Sequence, residues 1–96
     1  MKLRITIEYS SGESAVGTVL TPEWVKWEKM SGRKLPDITE DNGLGMSDIT
    51  FLAYHAIKRE TAPNPMKPYD AWLETIVDFD VERLNPKGSK SEVSEG

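Results

Sequence analysis

The chain has 96 residues, of which 38% are hydrophobic and 29% are charged, and it contains no cysteine. This length fits one domain with its own core, and the lack of cysteine excludes disulfides and thiolate metal sites. A net charge of −4 disfavours a nucleic-acid surface, and no stretch approaches the ~18 apolar residues of a membrane span. Because the first ten residues alternate and are charged, we expect no signal peptide and a soluble, cytosolic protein.

The chain begins with a predicted β-hairpin. Residues 2–9 place Leu3, Ile5 and Ile7 on one face and polar side chains on the other, a period of two that is typical of a half-buried strand. Turn-forming residues follow at 10–14, and residues 15–20 form a second strand that Gly17 weakens. A lone hairpin is marginal in water, so we expect its apolar face to pack on helices.

A first helix is predicted over residues 22–31. Thr21 is a good N-cap, Pro22 suits the first helical position, and Glu23 favours the positive end of the helix dipole. Gly32 is a natural left-handed C-cap.

One face of that helix predicts an ion pair. Trp24 and Trp27 share the face with Glu28, so this carboxylate would be partly buried and would need a cationic partner. Arg59 or Lys58, near the end of the next predicted helix, is the natural candidate. We therefore expect Glu28 and Arg59 to form a structural ion pair.

Residues 33–46 show no periodicity and form a long predicted loop, either a connector or a binding loop. Within it, residues 41–45 contain two glycines, but they have neither the spacing nor the lysine of a phosphate-binding loop. The sequence therefore predicts no nucleotide site.

A second helix is predicted over residues 47–60, with a complete apolar stripe formed by Ile49, Leu52, Ala53, Ala56 and Ile57. Phe51 and Tyr54 lie on the far side of this helix, with His55 near Phe51. Two interpretations stay open: the hairpin covers these aromatic residues, or they form an exposed patch that binds a partner. We predict Phe51, Tyr54 and His55 as partner-binding residues.

A third helix is predicted over residues 68–79, after a segment with three prolines, and residues 79–82 alternate in a way compatible with an extended segment. From residue 85 the chain is small and polar, which favours a flexible tail. The predicted fold is therefore α+β: a single domain over residues 1–84, in which an N-terminal hairpin packs on a bundle of three helices, and a disordered tail over 85–96.

The residues give little support for catalysis. His55 is the only histidine, and no activated serine or cysteine motif accompanies it. Asp78, Asp80 and Glu82 would share one face of an extended segment, but a solvated acidic face is more common than a cation site there. We expect a non-enzyme without catalytic residues, cofactor or metal.

The order of several short motifs resembles the tail assembly chaperones of long-tailed bacteriophages and prophages. The similarity covers roughly residues 20–82 and departs from the family pattern at the Pro-rich linker 63–65. The motifs are Trp27-Glu28, the helix Leu52 to Glu60, Tyr69-x-x-Trp72-Leu73, and Val77-Asp78-Phe79-Asp80.

The resemblance implies a non-enzymatic protein that binds and solubilises the tape measure protein during tail assembly, with the tail tube protein and self-association as further possible contacts. It places the protein in the bacterial host cytoplasm and outside the mature virion, and it implies a longer frameshifted product that diverges near the tail. The residues alone leave a second interpretation open: a small acidic adaptor that docks one folded partner. Copy number separates the two, because a chaperone coats one long client with many copies.

Overall fold

A computed structural model describes residues 2–34 and 43–84 as an α+β fold. The predicted tail over 85–96 and residues 35–42 of the predicted loop lie outside the described residues. In chain order the elements are β1 (Lys2–Tyr9), β2 (Ser14–Val19), α1 (Thr21–Ser31), α2 (Met46–Thr61), α3 (Tyr69–Leu73) and β3 (Ile76–Leu84).

The predicted hairpin is confirmed. β1 and β2 pair antiparallel, with Leu3 opposite Val19 and Ile7 opposite Ala15, and Gly12 takes a positive φ of 93° in the turn. The alternation predicted from the sequence sets the two faces, because Leu3, Ile5 and Ile7 are buried and the residues between them are more exposed.

The third predicted helix is wrong beyond Leu73. Only Tyr69–Leu73 is helical, and Ile76–Leu84 forms a strand that pairs antiparallel with β1, so the sheet order is β2-β1-β3. The alternation predicted over residues 79–82 extends over the whole strand Ile76–Leu84. Ile76 is an apolar residue near the end of the predicted helix as well as the first residue of this strand, so the local pattern alone does not assign it. A bundle of three helices is therefore not confirmed.

The first two helices follow the predicted bounds within one residue, and α1 differs at its start. Leu20, not Thr21, is the N-cap, and its backbone N–H donates to the Glu23 carboxylate at 2.9 Å. At the other end Gly32 is left-handed, with φ of 76°, as its C-cap position predicts.

α2 packs directly on β2 at Gly17. A Cβ atom at this position would lie 2.9 Å from Ile57 Cγ1 and 3.1 Å from Ala56 Cβ. The glycine that weakens the strand by propensity therefore lets the helix approach the sheet. No helix in residues 2–34 and 43–84 has the length and apolar character of a membrane span.

The core lies between the sheet and the helices, and two of its indole N–H groups have polar partners. Trp27 Nε1–H donates to Asp48 at 2.9 Å, and Trp72 Nε1–H donates to the Tyr9 hydroxyl at 3.0 Å. The buried hydrophobic residues are Leu3, Ile5, Ile7, Val19, Trp24, Trp27, Leu52, Ala53, Tyr54, Ala56, Ile57 and Trp72.

Candidate functional site

Tyr54 belongs to the core, which corrects its prediction as an exposed partner-binding residue. Its side chain is only 7% exposed, and its hydroxyl donates to the Lys67 carbonyl oxygen at 2.7 Å. The rings of Tyr69 and Trp72 lie 5.3 and 5.2 Å from the Tyr54 ring, centroid to centroid. The segment before α3 and α3 itself therefore contact this side of α2, so Tyr54 is covered, but by these elements and not by the hairpin of the first interpretation.

Phe51, His55 and Lys58 share the side of α2 that faces away from the sheet, which we call the α2 outer face, and Phe51 also packs against the edge of the core. At 100° per residue these positions lie opposite the stripe that packs on the sheet, while Tyr54 tilts toward α3. Phe51 and His55 are partly buried, and their ring centroids lie 4.5 Å apart at 58°. Two of the three predicted partner-binding residues thus share one accessible surface.

The α2 outer face carries positive charge around its aromatic pair. Partial burial lowers the pKa of His55, and the nearby ammonium groups of Lys26 on α1 and Lys58 on α2 lower it further, against a smaller opposing effect of Glu23. His55 is therefore neutral over most of the physiological pH range, and its ring contacts are aromatic: Phe51 on one side and Tyr54 at 5.3 Å.

The predicted ion pair forms with a different acid. Arg59 donates to both carboxylate oxygens of Glu23, whereas the prediction paired it with Glu28. Glu23 lies one helical turn before Trp27 and shares its buried face, so its side chain is 0% exposed, while Glu28 is only partly buried. The sequence pattern favours Glu23 only for its position in the helix dipole and does not predict this ion pair.

A cleft of about 620 Å³ opens between the hairpin turn and the segment that joins α2 to α3. Tyr9, Met66 and Trp72 contribute apolar surface, while Glu13 and Lys67 contribute charge. The Trp72 indole N–H donates to the Tyr9 hydroxyl there, so the indole N–H is already used, while the Tyr9 hydroxyl keeps its own proton as a donor. His55 is not part of the lining, so the cleft does not unite the histidine with the hydroxyl groups around it.

The acidic residues of β3 share the solvent face of the sheet, as their alternation predicts. Asp78, Asp80 and Glu82 are exposed and lie opposite Glu8, Thr6 and Arg4 of β1. Within residues 2–34 and 43–84, no group of three or more His, Cys, Asp or Glu side chains is arranged to hold a metal ion.

The described ends of the long loop are joined by Arg33 and Asp48. Arg33 donates to the Gly43 carbonyl oxygen at 3.1 Å and to Asp48 at 3.5 Å, and its guanidinium lies 5.5 Å from the Trp27 ring centroid. Asp48 also accepts from Gly45 N–H, which caps α2. No local sequence pattern indicates this junction, because Arg33 and Asp48 are 15 residues apart in the chain.

A scan against protein-family models and searches of curated proteins and of solved structures found no match for this chain.

Proposed function

We propose that this protein is a non-enzymatic binding protein, specifically a tail assembly chaperone that keeps the tape measure protein of a long-tailed phage soluble in the bacterial host cytoplasm. The resemblance in motif order supports the choice of client. The structural observation that supports binding is the α2 outer face, where Phe51 and His55 lie in ring contact beside Lys58.

The α2 outer face has the chemistry that an amphipathic helical client requires. Complete burial of a phenylalanine side chain against a partner contributes about 1.5–3 kcal/mol, and Phe51 can gain part of that because it is already partly buried. Lys26 and Lys58 border the aromatic pair closely enough to affect the pKa of His55, and they can pair with acidic residues that flank a client's apolar stripe.

Many weak contacts of this kind can hold one long client. When several copies bind along one chain, or also contact each other, each added contact is effectively intramolecular and the total affinity rises steeply. A net charge of −4 on every copy opposes clumping of the coated client.

Co-expression with the product of a very long open reading frame encoded nearby tests the proposal. The amount of that client in the soluble fraction and the mass of the purified complex are the measurements. We expect the wild-type chain to keep the client soluble in a complex with several copies, and Phe51→Ser to lose most of this effect.

Val25→Ser is the matched control, because Val25 is an apolar residue 45% exposed on α1. We expect it to retain client binding, and thermal melts should show that both variants are folded. A client that is equally soluble without the chaperone, or with Phe51→Ser, would contradict the proposal. A strictly one-to-one complex with a folded protein would instead favour the adaptor interpretation.

A further inference from the structure

The two edge strands of the sheet, β2 and β3, differ in whether side chains bond to their outward main-chain groups. On β2, the main-chain groups of Thr18 are covered. The Thr18 backbone N–H donates to the Glu60 carboxylate at 3.2 Å, and Arg59 donates to the Thr18 carbonyl oxygen at 2.9 Å. Side chains from the end of α2 thus occupy the main-chain groups that another strand would use. Such coverage opposes pairing with another strand at Thr18.

Because the backbone N–H and C=O of Thr18 point away from β1, the register of the sheet determines which main-chain groups β3 presents at the opposite edge. Main-chain groups alternate sides along a strand, and in an antiparallel pair two directly opposite residues direct their N–H and C=O groups either toward each other or away from each other. Because the main-chain groups of Thr18 point away from β1, those of its partner Arg4 point away from β2. The groups of Arg4 therefore point toward β3 and bond with Glu82. It follows that Val81, the next residue along β3, directs its N–H and C=O away from β1.

The same alternation leaves Phe79, Val81 and Arg83 with outward main-chain groups. One of these groups has a partner, since Phe79 N–H donates to the adjacent Asp78 carboxylate at 2.8 Å, which agrees with the derived direction. Within residues 2–34 and 43–84, no strand lies beyond β3. This nine-residue strand is therefore an open edge in the described part of the chain.

An incoming strand would meet a different surface on each side of this edge. On the helix side, Phe79 and Val81 are partly buried apolar residues that pack against the core. Because directly paired residues share a face, alternate apolar side chains of an added strand would extend this layer.

On the solvent side, the charge of β3 is not balanced across the strand. Asp78 and Asp80 lie opposite Glu8 and Thr6, neither of which is basic. Among these three acidic residues of β3, only Glu82 lies opposite a cation of β1, and Arg4 donates to it at 3.1 Å. The side chains that complement this face are therefore Lys and Arg.

We propose that the outer edge of β3 binds an extended segment of another protein, in which Lys or Arg alternates with apolar residues. A second copy of this chain fits less well, because antiparallel pairing of two β3 strands sets Asp and Glu side chains opposite each other, and directly opposed like charges are destabilising. This surface is separate from the α2 outer face and does not depend on the proposed function. Main-chain bonds along the edge would supply affinity, and the charge pattern would supply specificity.

The test uses the full chain and two fluorescent ten-residue peptides, one alternating lysine with valine and one alternating glutamate with valine, with binding measured by anisotropy. We expect the lysine peptide to bind, with affinity that falls as salt increases, and the glutamate peptide not to bind. Asp80→Asn should weaken binding of the lysine peptide about two- to fivefold.

Proline substitutions at the two edges locate the site. Val81→Pro removes an outward N–H without removing a bond to β1, and should weaken binding of the lysine peptide about tenfold or more. Val81→Ala controls for the lost side chain and should bind more tightly than Val81→Pro. Val16→Pro is the control on β2, since Val16 is 48% exposed and its main-chain groups face the β2 edge as those of Thr18 do.

We expect Val16→Pro to bind the lysine peptide as the wild-type chain does. Equal binding of the two peptides, equal effects of Val81→Pro and Val16→Pro, or no binding of the lysine peptide would each overturn the proposal. If the lysine peptide does not bind, the acidic residues of β3 only protect this edge from pairing with other strands. Circular dichroism should confirm a native sheet, and if Val81→Pro is unfolded, amide shift changes on Phe79, Val81 and Arg83 in the wild-type chain decide the location.

Discussion

Arg59 donates to both carboxylate oxygens of Glu23, with Nε at 2.8 Å and one terminal nitrogen at 3.0 Å. This two-point contact joins α2 to the start of α1. The same guanidinium reaches the Thr18 carbonyl oxygen, and Glu23 also accepts from Leu20 N–H. One ion pair thus connects both long helices to the end of β2 and to the N-cap of α1.

Glu23→Gln should lower the free energy of unfolding by about 1–3 kcal/mol. Breaking a buried pair typically costs ~3–5 kcal/mol, but Arg59 keeps 35% of its side chain exposed, so water offsets part of the loss. Urea unfolding of both proteins measures the difference. Glu60→Gln is the control, because Glu60 lies 3.9 Å from Arg59 with its side chain 34% exposed, and it should cost less than about 1 kcal/mol.

The stabilisation by Glu23 should disappear in acid. Burial alone would raise the pKa of Glu23, but the hydrogen bonds from Arg59 and Leu20 and the charge of Arg59 together hold it below its usual 4.5. The unfolded chain therefore binds the proton first as the pH falls. The advantage of the wild-type chain over Glu23→Gln should be complete above pH 4.5 and should shrink as the pH drops through the lowered folded-state pKa. An advantage that is constant with pH would contradict this.

Gly17→Ala should destabilise the fold by about 1–3 kcal/mol, the usual cost of overpacking. The added methyl would lie 2.9 Å from Ile57 Cγ1 and 3.2 Å from the Ile57 backbone nitrogen, and the backbone cannot move without shifting α2. Thermal unfolding measures the effect, and Gly12→Ala is the comparison because nothing lies within 4 Å of its Cβ position. Since Gly12 has a φ of 93°, that variant reports strain alone. A Gly17→Ala protein as stable as wild type would show that the helix is not closely packed there.

The parts of the fold with an uninterrupted period were predictable from the sequence. β1 alternates over eight residues, and α2 carries its apolar stripe over several turns, so their bounds are reproduced within one residue. The region after residue 68 combines a short helix with a strand, and Ile76 fits both patterns. Pairing with β1 decides between them, and that long-range contact leaves no local signal.

The candidate site was predictable only in part, for the same reason. Helical spacing correctly placed Phe51 and His55 together on the surface opposite the stripe, but Tyr54 lies only 60° from Phe51, where a neighbouring element can cover it. Whether α3 covers that flank depends on how the Pro-rich segment turns. Choosing Glu23 over Glu28 for Arg59 likewise requires the orientation of α1 on α2.

Tyr54→Ser should unfold the protein or cost about 3–5 kcal/mol, because it leaves a large cavity between α2 and α3. Tyr54→Phe tests the hydroxyl separately. It removes only the 2.7 Å bond to the Lys67 carbonyl oxygen and should cost about 0.5–1.5 kcal/mol. Phe51→Ser is the matched comparison at a partly buried position that borders the core, and it should cost clearly less than Tyr54→Ser. Equal losses from the two serine variants would place Phe51 in the core as well, and the binding surface would have to be sought elsewhere.

His55 should make the folded protein less stable as the pH falls below neutrality. Burial, Lys26 and Lys58 together lower its pKa from the usual 6.5, so the unfolded chain takes up a proton before the folded chain does. The stabilisation of the neutral histidine is complete above pH 6.5 and is lost as the pH drops through the folded-state pKa. Between these pH values, the free energy of unfolding should decrease more steeply for the wild-type chain than for His55→Asn. Lys26→Gln should bring the pKa of His55 closer to 6.5, as followed by the imidazole proton shifts in NMR titration, and an unchanged pKa would mean that Lys26 does not contribute to the charge of the α2 outer face.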